Sequence, residues 1–347
     1  MNGTYALTAD ANGDIWIVND PDANLEIASS VTEITASAVA AGACGNTTCL
    51  NFVGGGISEP QDITVDAKGN VWVANFGCPN LASTTSGCNN SNGGLNGGIT
   101  EIEPGATQNC SSGCAYFTLQ QGGNGVPEIM PEGVAVDKEG NIWFSSDGCL
   151  SVPLCTNPAS VVEIPTATIQ AGSCNNAQAC PAYSGNMDGV GGIGVDASQN
   201  VWIAGNTVTE IKNGAPTTCT FGCITYSGFD LNGTEAVATD GVGNVWVASV
   251  NAESLTEITT AAVAAGSCGT TSCPIYSIGE IIDNPRPLAV DQNGDIWVGA
   301  QGPSVIQEIQ PGAASNCSSG CIVISNYPST PVSIAIARNA ETNSGQL

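Results

Sequence analysis

The stretch Thr64 to Ala74, TVDAKGNVWVA, recurs five more times: TADANGDIWIV (8–18), AVDKEGNIWFS (135–145), GVDASQNVWIA (194–204), ATDGVGNVWVA (238–248) and AVDQNGDIWVG (289–299). All six tryptophans of the chain lie in these copies, each six residues after an aspartate: Asp10/Trp16, Asp66/Trp72, Asp137/Trp143, Asp196/Trp202, Asp240/Trp246 and Asp291/Trp297. The tryptophans are 56, 71, 59, 44 and 51 residues apart. That spacing is too long and too variable for a solenoid and suits four-stranded propeller blades with loop insertions.

Residues one and three before the aspartate are mostly branched aliphatics, the period-two pattern of a strand. Those two and four before it are nearly all small, as required where wedge-shaped sheets converge on an axis. This is the innermost strand, A. The Asp-x-x-Gly-Asn/Asp element forms a tight hairpin, and the tryptophan opens strand B, packing between neighbouring blades. A third phrase, VTEI, ITEI, VVEI, VTEI, LTEI and IQEI from positions 31, 99, 161, 208, 255 and 306, is strand C.

A cysteine pair follows each strand C: Cys44/Cys49, Cys110/Cys114, Cys174/Cys180, Cys219/Cys223, Cys268/Cys273 and Cys317/Cys321. Such close pairs at a C-D hairpin are placed for local disulfides, and the second cysteine leads into strand D. Two further pairs, Cys78/Cys88 and Cys149/Cys155, fall between strands B and C, where they staple two long loops. With no CxxC and no His, the sixteen cysteines point to an oxidising compartment, not to zinc. From the strand-C glutamate to the first cysteine is 11 residues in blades 1, 3 and 5 and 9 in blades 2, 4 and 6. This alternation implies duplication of a blade pair, and so six blades and not seven. The expectation is an all-β, single-domain six-bladed β-propeller with four antiparallel strands per blade. Blades run about 1–53, 54–119, 120–184, 185–227, 228–278 and 279–325, with 326–347 a closing strand or a tail.

The 347 residues carry 31 acidic against 5 basic side chains, a net charge of −26. No basic surface exists to neutralise phosphates, which excludes nucleic acid and anionic membrane as partners. No run approaches the ~20 apolar residues of a membrane span. The start, Met1 to Thr4, lacks the basic and apolar regions of an export signal, so the expectation is a secreted or cell-surface chain whose signal is absent here. Without histidine, Ser-His or Cys-His nucleophile pairs cannot be built.

A strand A ending in Asp, then Gly-Asn, then Ile/Val-Trp-Val resembles the NHL-repeat superfamily and its streptogramin-lyase-like branch over nearly the whole chain. The resemblance implies a six-bladed propeller. It specifies a fold better than a chemistry, since such propellers include lyases, lactonases, peptide-processing enzymes and pure binding modules. Lyase chemistry of that branch implies a histidine base acting with an acidic residue and Mg²⁺, and this chain has no histidine.

The residues five before each repeat aspartate, Tyr5, Gln61, Glu132, Gly191, Glu235 and Arg286, enter strand A at the mouth of the channel, where propeller ligands gather. Asp147 and Asn206 end the B strands of blades 3 and 4. Glu132, Glu235, Asp147 and Asn206 form an oxygen set suited to Ca²⁺ or Mg²⁺, and gluconolactonase-like propellers are similar in placing acidic and Asn ligands at strand A entrances. The Asp-x-Asn-Gly-Asp copies at 10–14 and 291–295 are turns, not EF-hands, because they lack the twelve-residue loop. Sequons at Asn2, Asn46, Asn89, Asn109, Asn232 and Asn316 accept glycans only in a eukaryotic source. Three readings remain open. The first is a binding or structural module for a carbohydrate, peptide or protein ligand, with no cofactor, and not an enzyme. The second is a metal-dependent lactonase or lyase. The third is self-association through the terminal strand 332–338.

Overall fold

A computed structural model describes residues 4–19, 29–45, 47–77, 97–117, 130–146, 159–172, 174, 179–185, 187, 189–276, 283–302, 305–324 and 333–334. Six four-stranded antiparallel sheets follow one another along the chain. Blade 1 is β1 (Thr4–Ala9), β2 (Ile15–Asn19), β3 (Ser30–Ile34) and β4 (Cys49–Phe52); blade 2 is β5 (Pro60–Val65), β6 (Val71–Asn75), β7 (Gly98–Ile102) and β8 (Cys114–Phe117). Blade 3 is β9 (Pro131–Val136), β10 (Ile142–Ser146), β11 (Ser160–Ile164) and β12 (Ala182–Tyr183); blade 4 is β13 (Ile193–Val195), β14 (Val201–Ile203), β15 (Val208–Ile211) and β16 (Cys223–Tyr226). Blade 5 is β17 (Thr234–Thr239), β18 (Val245–Ser249), β19 (Ser254–Ile258) and β20 (Ile275–Tyr276); blade 6 is β21 (Asp283–Val290), β22 (Ile296–Gly302), β23 (Val305–Ile309) and β24 (Cys321–Ile324). The first strands of consecutive blades pack side by side from β1 to β21, which makes them the hub. The molecule is a six-bladed β-propeller.

The small residues of strand A are required by that hub. A Cβ on Gly133 would stand 2.9 Å from the Gly191 carbonyl oxygen, and one on Gly192 would stand 2.8 Å from that of Glu235. Both distances are shorter than real Cβ contacts, so any side chain here pushes two blades apart.

The six-residue Asp-to-Trp spacing has a cause beyond the turn. One carboxylate oxygen of the aspartate accepts two amide hydrogens within the hairpin, as when Ser198 N and Asn200 N donate to Asp196 Oδ1 at 2.8 and 2.9 Å. The other oxygen accepts the indole N–H: Trp72 to Asp66 at 3.2 Å, Trp143 to Asp137 at 3.0 Å, Trp202 to Asp196 at 3.0 Å, and Trp246 to Asp240 and Trp297 to Asp291 at 3.3 Å. One carboxylate thus fixes both the turn and the indole, and satisfies a buried donor. The indole ring then covers the next blade: Trp72 packs with Val134, Ile142 and Phe144, and Trp202 with Val237, Val245 and Val247. In blade 4 the turn glycine is replaced by Gln199, held at φ 66°. Its side chain accepts from Lys138 N of blade 3 at 3.2 Å, an interblade contact that glycine cannot make.

All six C-D cysteine pairs are disulfides, with Cα–Cα distances of 5.3 to 5.5 Å. Cys78, Cys88, Cys149 and Cys155 lie outside the described residues. The alternating spacing corresponds to two different connections. Blades 1, 3 and 5 carry a short helix, α1 (Ala36–Ala41), α2 (Thr166–Ala171) or α3 (Thr260–Ala265), each ended by a left-handed glycine. Blades 2, 4 and 6 use a tight turn with the first cysteine at positive φ: Cys110 at 49°, Cys219 and Cys317 at 50°.

Two of the six bridges differ from the other four in their surroundings. Cys49, Cys114, Cys223 and Cys321 each begin strand D and are only half-buried, whereas Cys180 and Cys273 stand outside any strand and are fully buried. The reason for the first difference is the next residue. Pro181 and Pro274 have no N–H to give to the ladder, so β12 and β20 start two residues after the cysteine, at Ala182 and Ile275. The second difference is one of packing. Cys180, with its partner Cys174, packs with Ile164 and Ile169, and Cys273, with Cys268, packs with Ile258, Ala262 and Val263. In blades 3 and 5 the disulfide is thus part of the hydrophobic core, whereas in blade 1, which carries the same kind of helix, Cys44 is exposed and Cys49 half-buried. Among the described residues no helix is long and apolar enough to cross a membrane.

Candidate functional site at the strand A entrances

Each innermost strand carries a bulge at its entry end. In β5, Pro60 pairs with Asn75 and Asp62 with Ala74, leaving Gln61 as the extra residue. Glu132 is left over in the same way between Pro131 and Gly133, and Glu235 between Thr234 and Ala236. The register of β1 slips across Tyr5, and that of β21 across Arg286. In blade 4, Gly191 N donates to the Ala204 carbonyl at 2.8 Å while Ala204 N donates to that of Gly192 at 2.9 Å, so two residues again face one. In blades 2 to 5 the position five before the repeat aspartate thus lies at the bulge, and in blades 1 and 6 the bulge falls within Tyr5–Ala6 and Arg286–Pro287. A bulge re-aims its side chain out of the regular pleat, and bulges concentrate at barrel rims and beside active sites.

Four of the six positions stand in direct succession. The Gly133 Cα faces the Gly191 carbonyl, Gly192 N donates to the Glu235 carbonyl at 3.0 Å, and the Arg286 guanidinium lies 3.7 Å from the Glu235 carboxylate. Glu132 and Glu235 therefore flank a place with no side chain. The Arg286–Glu235 pair has side chains 45% and 41% exposed, so it shapes the rim and adds little stability. Tyr5 is 46% exposed, and Gln61 Nε2 donates to the Glu59 carbonyl at 3.2 Å. Asn206 is exposed on the B-C turn of blade 4, beside Gly189. Asp147 lies outside the described residues. Among the described residues no three acidic or cysteine side chains converge in a way that could hold a metal ion.

Sequence reading overlooked Asp62, which occupies a position expected to be small. Its carboxylate crosses to blade 3, accepting from Val134 N at 2.9 Å, and also accepts from its neighbour Ile63 N at 2.9 Å. Desolvation pushes this carboxyl up to about 6, against the pull of the two amides. The only signal was the exception itself, an acid in a row of small residues.

No family model and no curated protein matches the chain. Solved structures do. A streptogramin B lyase is 16% identical, with 96% of this chain and 87% of that chain covered and a TM-score of 0.62. A virginiamycin B lyase from Staphylococcus aureus is 15% identical, with 93% and 83% covered and a TM-score of 0.59. An essential surface component of the type-IX secretion system of Porphyromonas gingivalis is 14% identical, with 94% of this chain but 42% of that chain covered and a TM-score of 0.54. At these identities the likeness is one of fold: the chain shares the β-propeller fold of these proteins.

Proposed function

We propose that the protein is an extracellular or cell-surface binding module that holds a carbohydrate, peptide or protein ligand at the strand A entrances. The observation that carries this reading is the set of six bulges. Every blade adds one residue at the same end of the hub, and the entrance positions carry tyrosine, glutamine, glycine, arginine and two glutamates, while the hub beneath them repeats closely. A rigid frame with a varied rim is the arrangement of a recognition surface. Disulfides at every C-D hairpin support the oxidising setting, since such bonds persist outside the cytosol. The related lyase fold does not bring its chemistry with it, because a histidine base is unavailable to a chain without histidine. The test is a glycan and peptide array probed with wild type and with a variant carrying Tyr5→Ala, Glu132→Ala and Arg286→Ala. A ligand held by wild type and lost by a folded variant supports the reading. Equal binding by both, or turnover of an ester or lactone, removes it.

The flanking of side-chain-free Gly191 by Glu132 and Glu235 favours a second reading, a metal-dependent lactonase or lyase with Ca²⁺ or Mg²⁺ held by Glu132, Glu235, Asp147 and Asn206. Calorimetry with each ion on wild type and Glu132→Gln decides it. Binding abolished by the substitution supports the site, and binding that is absent or unchanged removes it.

A further inference from the structure

In blades 2, 3 and 4 the residue four before the repeat aspartate is the one that meets the next innermost strand. In blades 3 and 4 it is Gly133 and Gly192, and the neighbouring backbone leaves no room for a side chain. Blade 4 meets blade 5 there through peptide groups, as Gly192 N donates to the Glu235 carbonyl at 3.0 Å. Blade 2 has Asp62 in that place and meets blade 3 through its carboxylate, which accepts from Val134 N at 2.9 Å. One junction of the hub is thus closed by a group that can gain or lose a proton.

That bond is one link of a run that crosses three blades. Val134 follows Gly133, whose N–H donates to Ser145 Oγ at 2.9 Å, and the Ser145 hydroxyl donates to the Gly191 carbonyl of blade 4 at 2.6 Å. Gln61 precedes Asp62, and Glu132 precedes Gly133. Three of the six entrance positions, Gln61, Glu132 and Gly191, therefore hang on one run of hydrogen bonds, and Asp62 is its ionisable member. The strands packed on β5 are β1, β2, β6 and β9. They carry Tyr5 and Glu132 as titratable groups and no cation, while Glu59 and Asp66 flank β5 itself. The described partners of the half-buried Asp62 carboxylate are two amides, Ile63 N and Val134 N. With no positive charge on these strands to oppose it, burial pushes Asp62 up to about 6, within reach of mild acidification.

We propose that Asp62 is a positioning residue of the entrance ring and makes that ring respond to acid. Ionised, it gives Val134 N a charge-assisted bond that holds the Glu132 bulge to blade 2. Protonated, it offers a weaker, neutral acceptor, while Ser145 keeps blade 3 joined to blade 4. Glu132 then shifts relative to Gln61 and keeps its place beside Gly191. As a control of recognition this rests on the binding reading above; as a movement of the rim it needs no ligand.

NMR of the full chain through a pH series centred on about 6 tests this. On acidification the Val134 amide proton is expected to move upfield with the same midpoint as the Asp62 carboxyl. The Glu132 amide is expected to follow at that midpoint and not only at that of its own carboxyl, while Val237, the equivalent of Val134 in blade 5, shows no step there. Asp62→Asn keeps an acceptor that does not titrate, and should abolish both amide steps. Where that variant fails to fold, the wild type decides: a midpoint shared by the Asp62 carboxyl and the two amides supports the proposal, and separate midpoints overturn it. A Val134 amide that does not titrate, a Glu132 amide without the step, or steps that persist in Asp62→Asn also overturn it. No ligand enters these measurements, so they succeed or fail apart from the binding reading, which the array tests.

Discussion

Blade 4 and blade 1 are built from the same phrase, yet their polar interiors differ. In blade 4, Asp196 accepts the indole of Trp202, Trp202 stacks on Tyr226 with centroids 5.4 Å apart, and the Tyr226 hydroxyl donates to Glu210 Oε2 at 2.8 Å. In blade 1, Trp16 stacks on Phe52 at 5.6 Å, and among the described residues its buried Nε1 has no partner and Glu33 has no tyrosine to bond. Blades 3 and 5 follow blade 4, with Tyr183 on Glu163 at 3.2 Å and Tyr276 on Glu257 at 3.1 Å, whereas blade 2 has Phe117. Apolar stacking therefore defines the blade, while the polar chain from aspartate to glutamate is an addition that individual blades carry or lack. Burial raises the pKa of Glu33, Glu101, Glu163, Glu210 and Glu257; in Glu163, Glu210 and Glu257 the tyrosine opposes that rise.

The comparison breaks most sharply at the aspartate. Asp196→Ala removes bonds from Ser198 N, Asn200 N, Asn200 Nδ2 and the buried indole, and should cost on the order of 3 kcal/mol in denaturant unfolding. Asp10→Ala removes no indole bond and should cost about half that. Equal costs would mean that the indole bond carries no weight.

Next is the tyrosine. Tyr226→Phe leaves fully buried Glu210 without its donor and should cost roughly 2 kcal/mol at neutral pH. Phe117→Tyr is the reverse experiment: Phe117 stands opposite Ile99 as Tyr226 stands opposite Val208, so the new hydroxyl faces Glu101. It should stabilise by about 1 kcal/mol and lower the Glu101 pKa, both read by thermal unfolding across pH.

The smallest effect is a pH dependence in blade 2. Desolvation, then the charges of Glu103 and Asp66, pushes Glu101 up to about 7 from an ordinary 4.5. The folded state then holds a proton that the unfolded chain releases. This contribution to stability is full below about pH 4.5 and is lost as pH rises through 7. Glu101→Gln should flatten the wild-type curve over that window by on the order of 1 kcal/mol. A difference of the opposite sign would contradict the assignment.

Much of the propeller was legible because six copies repeat the tryptophan, the aspartate and the hub's small residues. The indole bond was not, since a spacing of six fixes a distance along the chain and says nothing of which atom an indole N–H meets. The bulges were hidden for a related reason: one extra residue in a six-residue strand barely disturbs a period-two pattern. The ring of entrance residues could be named from position alone, as Tyr5, Gln61, Glu132, Gly191, Glu235 and Arg286. Their pairing could not, and the approach of Arg286 to Glu235 turns one of the expected ligands toward a cation within the protein. The cysteine pairing was legible from spacing, but the burial of Cys180 and Cys273 was not, because blade 1 shares their 11-residue spacing and short helix while its Cys44 is exposed and Cys49 half-buried. The proline after each of these two cysteines was the one local sign that they stand apart from the other four.

The most direct test of a rim that recognises on a hub that supports is an exchange footprint of whatever ligand an array identifies. The account predicts protection confined to the strand entrances around Tyr5, Gln61, Glu132, Glu235 and Arg286, with the outer strands unchanged. Protection centred on the C-D hairpins or the outer edges, with the entrances unaffected, would contradict it.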